Sequence, residues 1–163
     1  MTRCFTRILV PTALTRNCFF ALRHAVRLAT DVGAEIRVVH VIEPLSEDAR
    51  ITLMSFIQDA TTRGAAIDRR RQMISETLRD RLAAFWDGLP EDQRAARERT
   101  TAEVVEGFPA EAILQEARAK ACDLIVLGAH EQGVTHTFLG SVAKRVLRRA
   151  ETPTLIVPNR RGD

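Results

Sequence analysis

Short apolar runs alternate with amphipathic segments along this chain. The runs lie at residues 8–10, 36–41, 100–105, 124–127 and 154–157 and are rich in apolar or β-branched side chains, which is typical of strands in a sheet. Between them, apolar residues recur at intervals of three and four, which predicts helices. Strands and helices therefore alternate. We expect a doubly wound α/β fold with five parallel strands and helices on both faces.

The first helix is the most clearly marked. It is predicted over residues 17–32, with Thr15 as N-cap and Gly33 at its end. One face carries Phe19, Leu22, Val26 and Ala29. With the strands at 8–10 and 36–41 this helix forms a β-α-β unit, whose strands are parallel.

Residues 45–99 form a variable helical region after the second strand. A short helix or flap is expected at 51–57, and a long amphipathic helix at 65–86 once Gly64 has interrupted the pattern. Residues 91–99 are expected to be a surface connection. The cations 69–71 are interpreted as a solvated helix face, with a phosphate or partner contact as the alternative. Residues 45–64 are expected to cover a cleft, extend a dimer or pack on the sheet.

The stretch from 124 to 142 carries the candidate chemistry. A buried strand ends at Gly128, and a loop then leads to Gly140 and Ser141, where a helix begins. Glycines allow close backbone approach, and free N–H groups at a helix start favour anions. Ordinary turn chemistry is the alternative. If the strand order is 3-2-1-4-5, the loop at 11–13 faces this one at the switch point, where such sheets bind ligands.

Composition narrows the class of protein. Hydrophobic residues make up 45% and charged residues 28% of the 163 residues, and the net charge is +3, which indicates a globular chain and argues against nucleic-acid binding. We expect a single domain over 1–163 with a frayed tail at 159–163. Cys4, Cys18 and Cys122 fit reduced thiols of a cytoplasmic protein, the latter two as buried apolar filler. No run suggests a signal peptide or membrane span.

Several motifs in the same order resemble the universal stress protein family. They are RILVPT at 7–12, VHVIEP at 39–44, GFPAEAI at 107–113, DLIVLGAH at 123–130, LGSVAKRVL at 139–147 and PTLIVP at 153–158. The resemblance implies a Rossmann-like, adenine nucleotide alpha hydrolase-like fold with strand order 3-2-1-4-5. It also implies a homodimer formed through the last strand, Thr154–Val157.

Some members of the family bind ATP through Gly-x2-Gly-x9-Gly-Ser/Thr after the fourth strand. The resemblance implies ATP or AMP as ligand, with magnesium as a further candidate. The implied binding residues are Pro11, Thr12, Ala13, Val41, Gly128, His130, Gly133, Gly140, Ser141 and Val142.

Three departures from the family pattern bear on binding. Glu131 occupies the position of the second glycine, and the loop is one residue shorter than the pattern, so Gly133 is a candidate substitute. Ala13 replaces the aspartate that usually follows Pro-Thr.

Three functions compete. The first is a dimeric, nucleotide-binding sensor or regulator of the stress response. The second is a dimeric protein-interaction module that has lost ATP binding. The third, a hydrolase or transferase, lacks a nucleophile–base pair in the sequence, so we expect no catalytic residues. His40 is expected to be packed or hydrogen-bonded at its strand end, and His24 to be structural or on the surface.

Overall fold

Five parallel strands form one sheet in the computed structural model, which describes residues 5–129 and 139–158. The order is β3-β2-β1-β4-β5, and every neighbouring pair is parallel. This confirms the expected fold and strand order. The strands are β1 (Arg7–Pro11), β2 (Glu35–Ile42), β3 (Thr100–Glu106), β4 (Leu124–Gly128) and β5 (Thr154–Val157).

Helices connect the strands on both faces of the sheet. They are α1 (Arg16–Val32), α2 (Glu47–Phe56), α3 (Ala60–Asp87), α4 (Glu91–Arg94), a 3₁₀ helix (Ala95–Arg99), α5 (Pro109–Ala119) and α6 (Ser141–Arg149). The predicted ends of α1 are confirmed. Thr15 Oγ1 accepts from the N–H of Cys18 at 3.4 Å, and Gly33 takes the left-handed conformation with φ 71°.

Alternating strand residues separate two apolar cores, one on each face of the sheet. Ile8, Val10 and Val38 pack with α1 and the C-terminal part of α3 on one face. Leu9, Val39 and Ile125 pack with α5 and α6 on the other. Because both faces are covered, the central strands are apolar throughout, which explains their uninterrupted runs in the sequence.

The variable region differs from the sequence prediction in two places. Gly64 lies inside α3, where an added Cβ would meet no atom within 4 Å, so it does not interrupt the helix as predicted. Residues 91–99 are helical rather than a plain surface connection, and Ala96 is buried there against the α1 face. The apolar contacts of Leu89 and Ala96 with the core explain why this charged segment is ordered.

The run of three arginines is not simply solvated. Arg71 donates from Nη2 to the carbonyl oxygen of Val104 at 3.1 Å, and its Nη1 lies 3.5 Å from the carboxylate of Glu106. Both partners belong to β3, so Arg71 fixes α3 to the outer strand of the sheet. The run was interpreted as a solvated face; Arg71, whose side chain is 53% exposed, is solvated and also in contact with β3.

Candidate functional site

A cavity of about 280 Å³ lies at the carboxyl ends of β1 and β4. This is where the order of the parallel strands reverses, and connections leave the two strands towards opposite faces. Seven residues predicted to bind a ligand line it, namely Pro11, Thr12, Ala13, Val41, Gly128, Gly140 and Val142. The strand order therefore brings together residues that are more than a hundred positions apart in the sequence.

The inner wall of the cavity is apolar. Val39, Ile113 and Leu127 line it and are each at least 95% buried. They belong to the core that α5 and α6 cover. A wall of this kind can take the flat apolar face of a heterocyclic base, as ligand pockets with few placed polar groups usually do.

The end of β1 is fixed by hydrogen bonds around Thr12, a buried polar residue. Its N–H donates to the carbonyl oxygen of Val39 at 2.8 Å, and its Oγ1 accepts from the N–H of Leu14 at 3.0 Å. Leu14 has a positive φ of 59°. This tight turn places Ala13 at the cavity, at the position where the family pattern has an aspartate.

Cys18 was wrongly interpreted as buried filler. It is half-buried in the first turn of α1 and lines the cavity. Its Sγ accepts hydrogen bonds from the N–H of Ala13 and from Oγ1 of Thr15, both at 3.3 Å. The predicted N-cap at Thr15 contained the signal, because a residue three positions after an N-cap faces the cap. The prediction for Cys122 is confirmed: this thiol is buried, and burial raises its pKa.

His40 lines the cavity from β2, next to β1. Its Nδ1 lies 2.8 Å from the carbonyl oxygen of Thr12. This confirms the expectation of a histidine hydrogen-bonded at its strand end. Sequence reasoning missed its place on the cavity, because strand periodicity does not show how far a neighbouring loop folds over.

The start of α6 forms the opposite side. Gly140, its N-cap, has no side chain, and no side chain in the described part of the protein caps this helix start. The N–H of Gly140 donates to the carbonyl oxygen of Ala129 at 2.8 Å. The N–H of Ala129 in turn donates to the carbonyl oxygen of Val157 at 2.9 Å. The first turn of a helix presents N–H groups without intrahelical partners and the positive end of the macrodipole. This side of the cavity is therefore suited to an anion.

Charge is sparse around the cavity. Among its described lining residues, Glu43 is the one carboxylate, it is exposed, and none is a lysine or arginine. In this part of the chain, phosphate recognition would rest on the backbone N–H groups of α6. Across residues 5–129 and 139–158, no group of three or more His, Cys, Asp or Glu is placed to hold a metal ion.

Three predicted binding residues have a different status. His130 and Gly133 lie outside the described residues. Ser141 is the first residue of α6, is exposed, and is not among the described residues that line the cavity. Its suggested contact with a phosphate stays a prediction.

No described helix is both long enough and apolar enough to span a membrane.

The sequence model of the universal stress protein family matches residues 5–158. Universal stress protein MJ0531 of Methanocaldococcus jannaschii is 28% identical over 157 residues, which cover 94% of this chain and 82% of the relative. A universal stress protein of Thermus aquaticus is 34% identical over 126 residues, which cover 77% of this chain and 78% of the relative.

Solved structures share the fold. That of MJ0577 superposes with a TM-score of 0.71 at 21% identity, covering 96% of this chain and 98% of the other. A universal stress protein in complex with cAMP gives a TM-score of 0.61 at 21% identity, covering 94% and 96%. An Archaeoglobus fulgidus protein in complex with dAMP gives 0.57 at 16% identity, covering 93% and 96%. With its sequence matched almost from end to end and its sheet in the expected order, the chain belongs to the universal stress protein family.

Proposed function

We propose that this protein binds an adenine nucleotide, ATP or AMP, in the cavity between β1 and β4 and acts as a dimeric sensor or regulator of the stress response. One observation carries the proposal: an apolar cavity at the switch point of the sheet meets a helix start that no described side chain caps. A nucleotide has a matching division into an apolar base and an anionic phosphate.

Related structures support the choice of adenine. Two proteins of the same fold were solved with cAMP and with dAMP. Both ligands carry the adenine base and one phosphate. A single phosphate also suits a cavity side whose described donors are backbone N–H groups.

We expect the affinity to be modest. The usual carboxylate is absent at Ala13, and a hydrogen bond to a charged group contributes roughly 1.5–3 kcal/mol. Its loss corresponds to an affinity that is roughly ten- to a hundredfold weaker. Two hydrogen bonds keep the loop in place without that carboxylate: Leu14 N–H donates to Thr12 Oγ1, and Ala13 N–H donates to Cys18 Sγ. A preformed site with one contact fewer is therefore expected to bind more weakly by that factor than a site that keeps the carboxylate.

The dimer is proposed through β5. This strand pairs with β4 on one side and is last in the order of the sheet, so its other edge presents backbone groups that no described strand satisfies. Leu155 on this edge strand is 38% exposed. A second copy adding strand to strand would satisfy those groups.

The proposal does not include catalytic turnover. Cys18 Sγ accepts hydrogen bonds from Ala13 N–H and Thr15 Oγ1. His40 Nδ1 is hydrogen-bonded to the carbonyl oxygen of Thr12. The two side chains therefore do not form a nucleophile–base pair in this structure.

Calorimetric titration with ATP and with AMP, each with and without Mg²⁺, tests the proposal. The protein is first denatured in a parallel sample to detect nucleotide carried over from purification. Micromolar binding, or released adenine nucleotide, is expected. Gly140→Val, which puts a branched side chain at the α6 start, is expected to lower affinity by at least tenfold, while Arg148→Ala at the other end of α6 leaves it unchanged. Equal binding by both variants would place the ligand elsewhere.

The second candidate, a dimeric interaction module without nucleotide, is favoured by the absence of a carboxylate at Ala13. It predicts no heat with either nucleotide, no released nucleotide, and a stable dimer by light scattering.

A further inference from the structure

One ring nitrogen of His40 is hydrogen-bonded, and the other has no partner among the described residues. Nδ1 lies 2.8 Å from the carbonyl oxygen of Thr12. A carbonyl oxygen can only accept, so the proton of the neutral ring is on Nδ1. Nε2 then carries a lone pair and is an acceptor.

Nothing in the described part of the chain occupies that lone pair. The hydrogen bond to Thr12 is the one that His40 makes there. The buried side-chain atoms left without a partner in residues 5–129 and 139–158 are Arg37 Nε and Gln93 Oε1, and His40 Nε2 is not one of them. His40 is half-buried and lines the cavity, and no described residue binds its second nitrogen.

The other described side-chain acceptors near the first loop already accept hydrogen bonds or are exposed to water. Thr12 Oγ1 already accepts from Leu14, and Cys18 Sγ accepts from Ala13 and Thr15. Ala13 has a methyl group where the family usually has a carboxylate. Glu43 also lines the cavity but is exposed to water and free to reorient, whereas the His40 ring is held by Thr12.

The position of His40 matches the base end of a nucleotide. The phosphate-binding helix start follows β4, and His40 is on β2, with β1 between them. Two spacings of neighbouring strands amount to roughly 10 Å. A nucleotide anchored by its phosphate at α6 is therefore long enough to bring its base near His40.

We propose that His40 Nε2 accepts a hydrogen bond from the exocyclic amine of the purine and so determines the base preference of this site. This inference rests on the proposed nucleotide binding. It makes His40 the neutral substitute for the carboxylate missing at Ala13, and it predicts preference for a base with a donor at C6 over one that lacks it.

The test compares AMP and ATP with the matching phosphates of purine riboside, which lack the amine. Affinities are measured by calorimetry at one fixed pH for all ligands and variants. The wild type is expected to bind each adenine nucleotide roughly 2- to 10-fold more tightly than its purine analogue, the range of one neutral hydrogen bond. His40→Asn keeps a donor for Thr12 but has no atom at the Nε2 position. In this variant the ratio is expected to fall to about one.

The matched control is Glu43→Gln, which is expected to keep the wild-type ratio. Thermal unfolding of His40→Asn shows whether the loop is preserved, and unchanged binding of the purine analogue excludes a merely structural effect. A ratio that persists in His40→Asn, or is lost in Glu43→Gln, overturns the inference while nucleotide binding stands. A ratio of about one in the wild type also overturns it. If no nucleotide binds the wild type, the proposed function itself has failed.

Discussion

The backbone N–H of Gly140 donates to the carbonyl oxygen of Ala129 at 2.8 Å, which fixes the start of α6 to the end of β4. The two residues are not neighbours in the sequence, and this bond holds them together. The helix start that we propose as the phosphate site is therefore positioned by the sheet. Substitutions at Gly140 can test the hydrogen bond to Ala129 separately from the absence of a side chain at this position.

Gly140→Pro is expected to destabilise the protein more than Gly140→Ala does. Gly140 has φ −58°, which both replacements adopt without strain. Proline removes the N–H that bonds to Ala129, and the loss of one hydrogen bond lowers the free energy of unfolding by about 1 kcal/mol. Urea unfolding of the three proteins measures this. Equal stability of the proline and alanine variants would show that the bond to Ala129 does not hold α6.

Cys18 and Cys122 are expected to differ in their reaction with iodoacetamide. Cys18 is half-buried on the cavity, whereas Cys122 is buried, and burial also raises the pKa of its thiol. Because the thiolate is the nucleophile, both effects slow alkylation of Cys122. Mass spectrometry of a Cys4→Ser background at about pH 8 should show modification at Cys18 first.

Nucleotide provides the second part of that experiment. A ligand in the cavity covers Cys18, so saturating AMP or ATP should slow its alkylation at least several-fold. Cys18→Ala in the same background is the control and should show no rapid modification. Labelling of Cys122 at the rate of Cys18 would contradict the burial of the former. An unchanged rate at Cys18 in the presence of a nucleotide known to be bound would place that nucleotide outside this cavity.

Asp123 is expected to make stability depend on acidic pH. Burial alone would raise the pKa of this carboxyl, but hydrogen bonds from Thr6 Oγ1 and from the N–H groups of Arg7 and Thr6 outweigh it and lower the pKa below its ordinary 3.8. The folded state therefore binds the proton less tightly than the unfolded state. The stabilisation is present above the ordinary value and is lost as pH falls through the folded pKa.

The measurement compares wild type with Asp123→Asn by urea unfolding at several pH values. Near pH 6 the variant should be less stable by about 1–2 kcal/mol, which is less than the full contribution of hydrogen bonds to a charged group because this carboxyl is partly solvated. The difference should shrink below about pH 3. Asp68→Asn, at an exposed position of α3, is the control for loss of a carboxylate. A gap between wild type and Asp123→Asn that stays constant down to about pH 2 would show that folding does not lower the pKa of Asp123.

Leu155→Arg is expected to separate the proposed dimer. Leu155 is 38% exposed on the edge strand β5, and a charge there would be buried against a second copy. Leu147→Arg is a matched control, since Leu147 is 42% exposed on α6. Light scattering at micromolar concentration should show a monomer for Leu155→Arg and a dimer for wild type and Leu147→Arg. A monomeric wild type would refute the dimer, and a dimeric Leu155→Arg would exclude this edge.

The strands were predictable from local pattern, whereas their order, and with it the position of the cavity, was implied by the resemblance to the universal stress protein family. The apolar run 124–127 and the glycine that ends it are visible without any tertiary information. The surroundings of Ala13 were not. Cys18 and His40 reach the cavity through hydrogen bonds to Ala13 and Thr12. Such bonds depend on how one tight turn folds, which no periodicity encodes.

The two halves of α3 show a related limit of pattern reasoning. Ile67 and Leu78 are both apolar residues of the amphipathic helix predicted at 65–86, and the sequence pattern does not distinguish them. In the structure Leu78 is 2% exposed within the core, whereas Ile67 is 43% exposed. The buried residues of this helix, Leu78, Leu82 and Trp86, all lie in its C-terminal half. The apolar residues of α3 therefore continue past the part of the helix that packs against the core, and Ile67 stays exposed.

Alanine substitutions at these two positions should therefore have unequal effects. Leu78→Ala removes a fully buried side chain and leaves a cavity, so it should lower the free energy of unfolding by roughly 2–5 kcal/mol. Ile67→Ala removes a side chain that is already largely hydrated and should change it by less than about 1 kcal/mol. Urea unfolding with a shared slope measures both. Comparable losses would mean that the N-terminal half of α3 is covered in solution, for instance by a second copy, and a concentration-dependent midpoint for the wild type would then identify that arrangement.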